Sequence, residues 1–217
     1  MKVELNIPES LKDITLGQYQ KFQKIEEPTN EDLLTTFLNV DINVIRNIKQ
    51  SEFDRLVAHI NSLFEAKQKH QLKFNLKGVS MGFIPNLDDI SYGENKDLTT
   101  YVSDWKTMHR AMSVLYRPIE LSRRGKYTIQ EYEGTRESEQ YKQMPLSVVM
   151  GAMVFFYNLT NALLKAIPNY LQKEMMKEQM SGQISEENGE AIKNSIHSLK
   201  ETLGDLMTLQ SYHSINA

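Results

Sequence analysis

Asp88, Asp89, Glu94, Asp97 and His109 are the residues whose types and proximity could do chemistry. Carboxylates this close in sequence could hold a hard cation, and His109 could add a nitrogen ligand. A metal-dependent enzyme would draw on Asp88, Asp89, Glu94 and His109. The spacing favours a plainer reading. A calcium loop needs ligands at alternate positions and a closing Glu, which this run lacks. His59, His70, His109, His197 and His213 include no pair at zinc spacing. Acids near the start of a helix favour its positive end, which explains this group without a metal.

Other catalytic signatures fail in the same way. Gly125-Lys126-Tyr127 lacks the glycine spacing and the hydroxyl of a phosphate loop. No Gly-x-Ser-x-Gly elbow occurs. Without any cysteine, disulfides, thiolate metal sites and cysteine nucleophiles are excluded together. We therefore expect no enzyme, no catalytic residue, no metal and no cofactor. A net charge of −3 with interspersed signs argues against a dedicated nucleic-acid binder. The basic cluster Arg123, Arg124 and Lys126 reads as a solvated turn.

The elements that position these residues come from periodicity. Val3, Leu5 and Ile7 alternate with polar residues and predict a short strand ended by Pro8. Thr15 and Gln18 form a capping box and predict a helix over residues 16–25. Thr29 and Asp41 begin two shorter helices. Ser51 is expected to cap a longer one, whose stripe is Phe53, Leu56, Val57, Ile60, Leu63 and Phe64. Two alternating runs around Lys77-Gly78 predict a hairpin. Ser91 and Glu94 form a second capping box, opening a helix with Leu98, Tyr101, Trp105, Met108, Met112 and Leu115 on one face. Asp104 can break it in two. Arg117-Pro118 stops it, because a residue before proline disfavours helix. Residues 119–144 look irregular, with a brief strand near Tyr127 and Ile129 and an exposed polar loop at 134–143.

Residues 1–26 and 79–103 echo each other: strand, Ile-Pro, acidic turn, capping box, helix. Duplication and convergence of turn chemistry both account for this. Pro145 opens the most apolar helix, which is expected to run toward Met180. Its apolar core, 148–157, is half of what a membrane span needs. Nor does the N-terminus carry the apolar core of a signal peptide. The fold class is thus predominantly α with a few strands (α+β). A main domain at 1–180 is followed by a linker at 181–189 and an amphipathic helix at 190–213.

Two stretches have the character of binding surfaces. Met175, Met176 and Met180 lie beyond the apolar half of the long helix, and methionine suits faces that accept varied partners. Ile192, Ile196, Leu199, Leu203 and Leu206 step by four and three, as in a short heptad stripe. That stripe fits a helix docked on its own domain, or one that binds a partner or a second copy of the chain.

The run Phe83 to Glu94, then Trp105, Met108, His109, Ala111, Met112 and Val114 to Ile119, resembles a family of tailed-bacteriophage proteins. So do Tyr127 to Gly134, Met144-Pro145-Leu146 and Gly151 to Phe156. They are similar to small baseplate-hub and tail-assembly proteins of T-even-like phages. The resemblance covers roughly residues 1–175. It implies a non-enzymatic role in virion assembly, with other phage structural proteins as partners, in the infected host's cytoplasm or in the virion itself.

Overall fold

The computed structural model describes residues 5–159 and 161–162. The chain divides into two compact units, Met1–Ala152 and Met153–Ala217. The first is a helix-rich α+β unit. In the second, residues 153–159 and 161–162 are helical. Among the described residues no helix is long and apolar enough to cross a membrane. The remainder of the helix expected toward Met180 lies outside the described residues, as do the linker and the C-terminal helix.

Four helices lead the first unit: α1 (Leu16–Phe22), α2 (Asn30–Phe37), α3 (Ile42–Arg46) and α4 (Gln50–Glu65). Thr15 and Gln18 exchange backbone and side-chain hydrogen bonds in the capping box anticipated for α1. Thr29 and Asp32 do the same for α2, and Asp41 accepts from the Asn43 amide at the start of α3. α4 starts earlier than expected. Its N-cap is Lys49, which makes no side-chain cap, and Ser51 lies inside the helix. Of the anticipated α4 stripe, Leu56, Ile60 and Leu63 are buried.

β1 (Lys73–Leu76) and β2 (Val79–Phe83) form the expected hairpin. Lys77 and Gly78 both take positive φ, as a two-residue turn matched to strand twist requires. α5 (Tyr92–Tyr101) and α6 (Met108–Leu115) follow, divided at Asp104, whose carboxylate accepts from the Lys106 amide. β3 (Tyr116–Arg123) and β4 (Lys126–Ile129) complete an antiparallel sheet in the order β1-β2-β3-β4. Their turn again has two positive φ angles, at Arg124 and Gly125.

Three expectations are corrected. Leu5 to Pro8 form no strand, and Ile7 is 38% exposed. Without a neighbouring strand, alternation alone gives the backbone no hydrogen-bond partners. Among the described residues the echo therefore holds for the acidic turn and the capping box, while residues 5–8 show no strand to match β2. Second, residues 119–123, expected to be irregular, are strand, and with residues 116–118, expected as the helix stop, they form β3. Pro118 is the last β3 residue paired with β2, and its carbonyl accepts from Gln130 at 3.0 Å. Third, Ser138–Gln143 is a 3-10 helix rather than an exposed loop. Tyr141 is buried and its hydroxyl donates to the Tyr116 carbonyl at 2.8 Å.

Helical residues resume at 146, and 146–152 (α7) close the first unit. Thr15 pairs with Pro145 in an isolated antiparallel bridge. The Leu16 amide donates to Met144, and the Leu146 amide to Ile14. α7 passes so close to residues 69–70 that a Cβ on Gly151 would lie 2.3 Å from the Lys69 carbonyl oxygen. The core gathers Ile14, Leu16, Leu34, Ile60, Met108, Met112, Leu115 and Leu146, all buried. The Trp105 ring meets Tyr19 edge-on at 4.7 Å.

Candidate functional site

The second capping box is also half of an ion pair. Glu94 Oε2 accepts from the Ser91 amide at 2.7 Å, while Oε1 accepts from Arg117 Nη2 at 2.5 Å. Both side chains are largely buried. Arg117 reaches Glu94 because β3 starts at Tyr116, directly after α6, and carries the next residue out in the sheet. Burial pushes the Glu94 carboxyl up, but the Ser91 hydrogen bonds and the Arg117 charge outweigh it, and the group is held below the ordinary carboxylate range.

Tyr132 covers the guanidinium, with Arg117 Cζ 5.7 Å from its ring centre. Its hydroxyl donates to Asp97. Burial, helped by Asp97, pushes the Tyr132 phenol above its ordinary range. It therefore stays protonated and serves as a donor, unsuited to be a base. In β2, Gly82 admits Tyr127 and Ile119: a Cβ there would lie 2.5 Å from the Tyr127 ring. Tyr127 donates to the Phe83 carbonyl at 2.7 Å.

Beside this cluster opens a cleft of about 670 Å³, within the size range of ligand sites. Arg117, Tyr132 and Tyr141 line it, together with Glu120, Glu131, Glu133, Glu137 and Arg136. Arg117 is already paired with Glu94, so the lining carries more acid than base. Arg117 Nε is buried and has no hydrogen-bond partner among the described residues.

His109 belongs to a different node. Gln20 Nε2 lies 2.6 Å from the Trp105 carbonyl and 3.1 Å from His109 Nδ1. The Trp105 carbonyl can only accept, so the Gln20 amide is the donor to both, and the imidazole proton resides on Nε2. That nitrogen is 3.3 Å from Glu139 Oε1, an ion-pair distance without hydrogen-bond geometry. Burial, with Lys142 and Arg110 nearby, holds His109 below its ordinary value, against an opposing pull from Glu139. A neutral imidazole locked between α1 and the 3-10 helix is a structural tie.

Asp88 and Asp89 are exposed on a 3-10 turn (Leu87–Asp89). They do not meet Glu94 or His109 in a ligand set. Among the described residues no three His, Asp or Glu side chains converge to hold a metal ion. Arg123, Arg124 and Lys126 occupy an exposed turn. Met150 is buried, whereas Met175, Met176, Met180, Ile192, Ile196, Leu199, Leu203 and Leu206 lie outside the described residues. Sequence reasoning missed Arg117, Tyr132 and Gln20. The one signal present was a Gln and an Arg inside apolar surroundings, which need partners once buried. No known protein family, curated protein or solved structure matches the chain.

Proposed function

We propose that the protein is an assembly factor for a bacteriophage tail or baseplate, which binds other virion proteins and does not turn over a substrate. The observation that carries this reading is where the phage-like motifs meet. Glu94 of the first, Arg117 of the second and Tyr132 of the third form one cluster beside the cleft, and separately Tyr127 of the third donates to the Phe83 carbonyl of the first. Residues shared with a protein family for their fold would pack like this, around a rim free to contact partners.

In this reading the client-binding residues assigned from sequence are Met175, Met176 and Met180 and the stripe from Ile192 to Leu206. The stripe also offers a route to self-association. The protein acts in the host cytoplasm. Mass spectrometry of purified virions tests the role. An assembly factor is absent or substoichiometric, whereas stoichiometric copies would make it a structural component. Deleting residues 182–217 is expected to abolish client capture. Unchanged capture and oligomeric state would reduce the stripe to a structural helix.

A further inference from the structure

Residues 131–137 connect β4 to the 3-10 helix, and most of them line the cleft. Both ends of this segment are fixed. The Gln130 amide before it donates to the Pro118 carbonyl at 3.0 Å. Ser138 after it is buried, and Tyr141 ties the 3-10 helix to the Tyr116 carbonyl.

Between those ends the segment is almost unattached. Glu131, Glu133, Gly134, Arg136 and Glu137 are exposed. Among the described residues, the backbone of 131–134 makes no backbone-to-backbone hydrogen bond, and Thr135 accepts only from the nearby Ser138 amide. No side chain of the segment takes part in an ion pair among the described residues. One residue holds the middle. The Tyr132 hydroxyl donates to Asp97 of α5, and its ring lies over Arg117. The same ring rests 3.6 Å from where a Cβ on Gly93 would sit, in the first turn of α5. Gly134, two residues on, has φ +93° and open space around it, which gives the chain a place to pivot.

A segment with few buried contacts and one anchor opens at low free energy while the rest of the fold stays intact. We infer that residues 131–137 are a strap beside the Glu94–Arg117 pair, held shut by the hydrogen bond from Tyr132 to Asp97. Closed, the Tyr132 ring covers the guanidinium. Open, the ion pair is uncovered and the cleft loses that wall. The cleft therefore has two forms, whichever partner the protein serves.

Trypsin reads this motion in the full-length protein. Cleavage after Arg136 reports the strap, because a protease needs several residues of free chain around the bond it cuts. Cleavage after Arg110 reports the body, because every other residue of α6 is buried. Below the unfolding transition, an opening that exposes little surface is nearly insensitive to urea. We expect the Arg136 rate to stay flat there while the Arg110 rate climbs steeply. Cleavage tracks the open fraction, so Tyr132→Phe, which removes one hydrogen bond to a charged acceptor, should raise the flat Arg136 rate about tenfold. Asp97→Ala removes the acceptor from the other side and should do the same. Asp97→Asn keeps an oxygen acceptor and should raise the rate less. Arg136 cleavage that climbs with urea in parallel with Arg110 would mean that the segment opens only with the body, and would overturn the strap. A flat rate that neither Tyr132→Phe nor Asp97→Ala changes would overturn it equally, since nothing would then be latched.

Discussion

Replacing Arg117 with Met would leave the Glu94 carboxylate buried, accepting from the Ser91 amide but with no opposing charge. Breaking one side of such a pair typically costs several kcal/mol, and we expect about 3 kcal/mol by urea unfolding. Glu94→Gln combined with Arg117→Met should cost less than Arg117→Met alone, because no orphan charge remains. Titration follows from the same burial. His70 and His109 are both held below the ordinary 6.5, with burial the leading cause. The unfolded chain therefore takes up protons that the folded chain refuses. Stability contributed by the neutral imidazoles is complete above that pH and is lost as pH falls below it. Glu94 is also depressed, so its contribution is lost below its ordinary 4.5. Imidazole NMR titrations should place both His midpoints below 6.5, and urea midpoints should decline in two stages on acidification. Capping pairs such as Thr15 with Gln18 were legible because partners three residues apart share a helical turn. Glu94 with Arg117 and Asp97 with Tyr132 were not, because tertiary packing alone brings them together.

At the scale of elements, two glycines predict opposite outcomes. Gly151→Ala would push a methyl group into the Lys69 carbonyl, and backbone cannot swing aside as a side chain can. A loss of about 1–3 kcal/mol is expected. Gly93, in the first turn of α5, has nothing closer than 3.6 Å to an added Cβ and no positive φ. Gly93→Ala should therefore stabilise by about 0.5 kcal/mol, through a less flexible unfolded chain. Thr15→Ala and Ser91→Ala should each cost about 1 kcal/mol, and thermal melts of the four variants would rank them. Side-chain-capped helix starts and hairpin turns were legible because their chemistry is local, whereas the start of α4, at an uncapped Lys49, was not. β3 was hidden for two reasons. Its first residues read as a helix stop, and a register shift between Ile119 and Leu121 breaks the alternation a strand would otherwise show. The 3-10 helix at 138–143 was hidden because one aromatic, Tyr141, anchors an otherwise polar run.

Across the whole first unit, a four-stranded meander is interrupted once, between β2 and β3, by α5 and α6. Both edge strands begin with lysine, Lys73 and Lys126, which discourages open-ended pairing between copies. The alternation that failed as a strand at residues 5–8 belongs to a segment held instead by α7: the Ser147 amide donates to Leu11, and Leu146 to Ile14. That bridge has a consequence for biosynthesis. Thr15 and Pro145 are about 130 residues apart, so the leading helix leaves the ribosome long before its partner exists. At typical elongation rates the interval is on the order of ten seconds, during which Ile14, Leu16 and Tyr19 lack the partners that bury them. Nascent chains stalled before Pro145 clears the exit tunnel should be protease-sensitive throughout, and those stalled well beyond Ala152 should protect the first unit as a block. Until Pro145 emerges, the apolar side of the leading helix is exposed surface on the nascent chain, so the first unit closes late in synthesis.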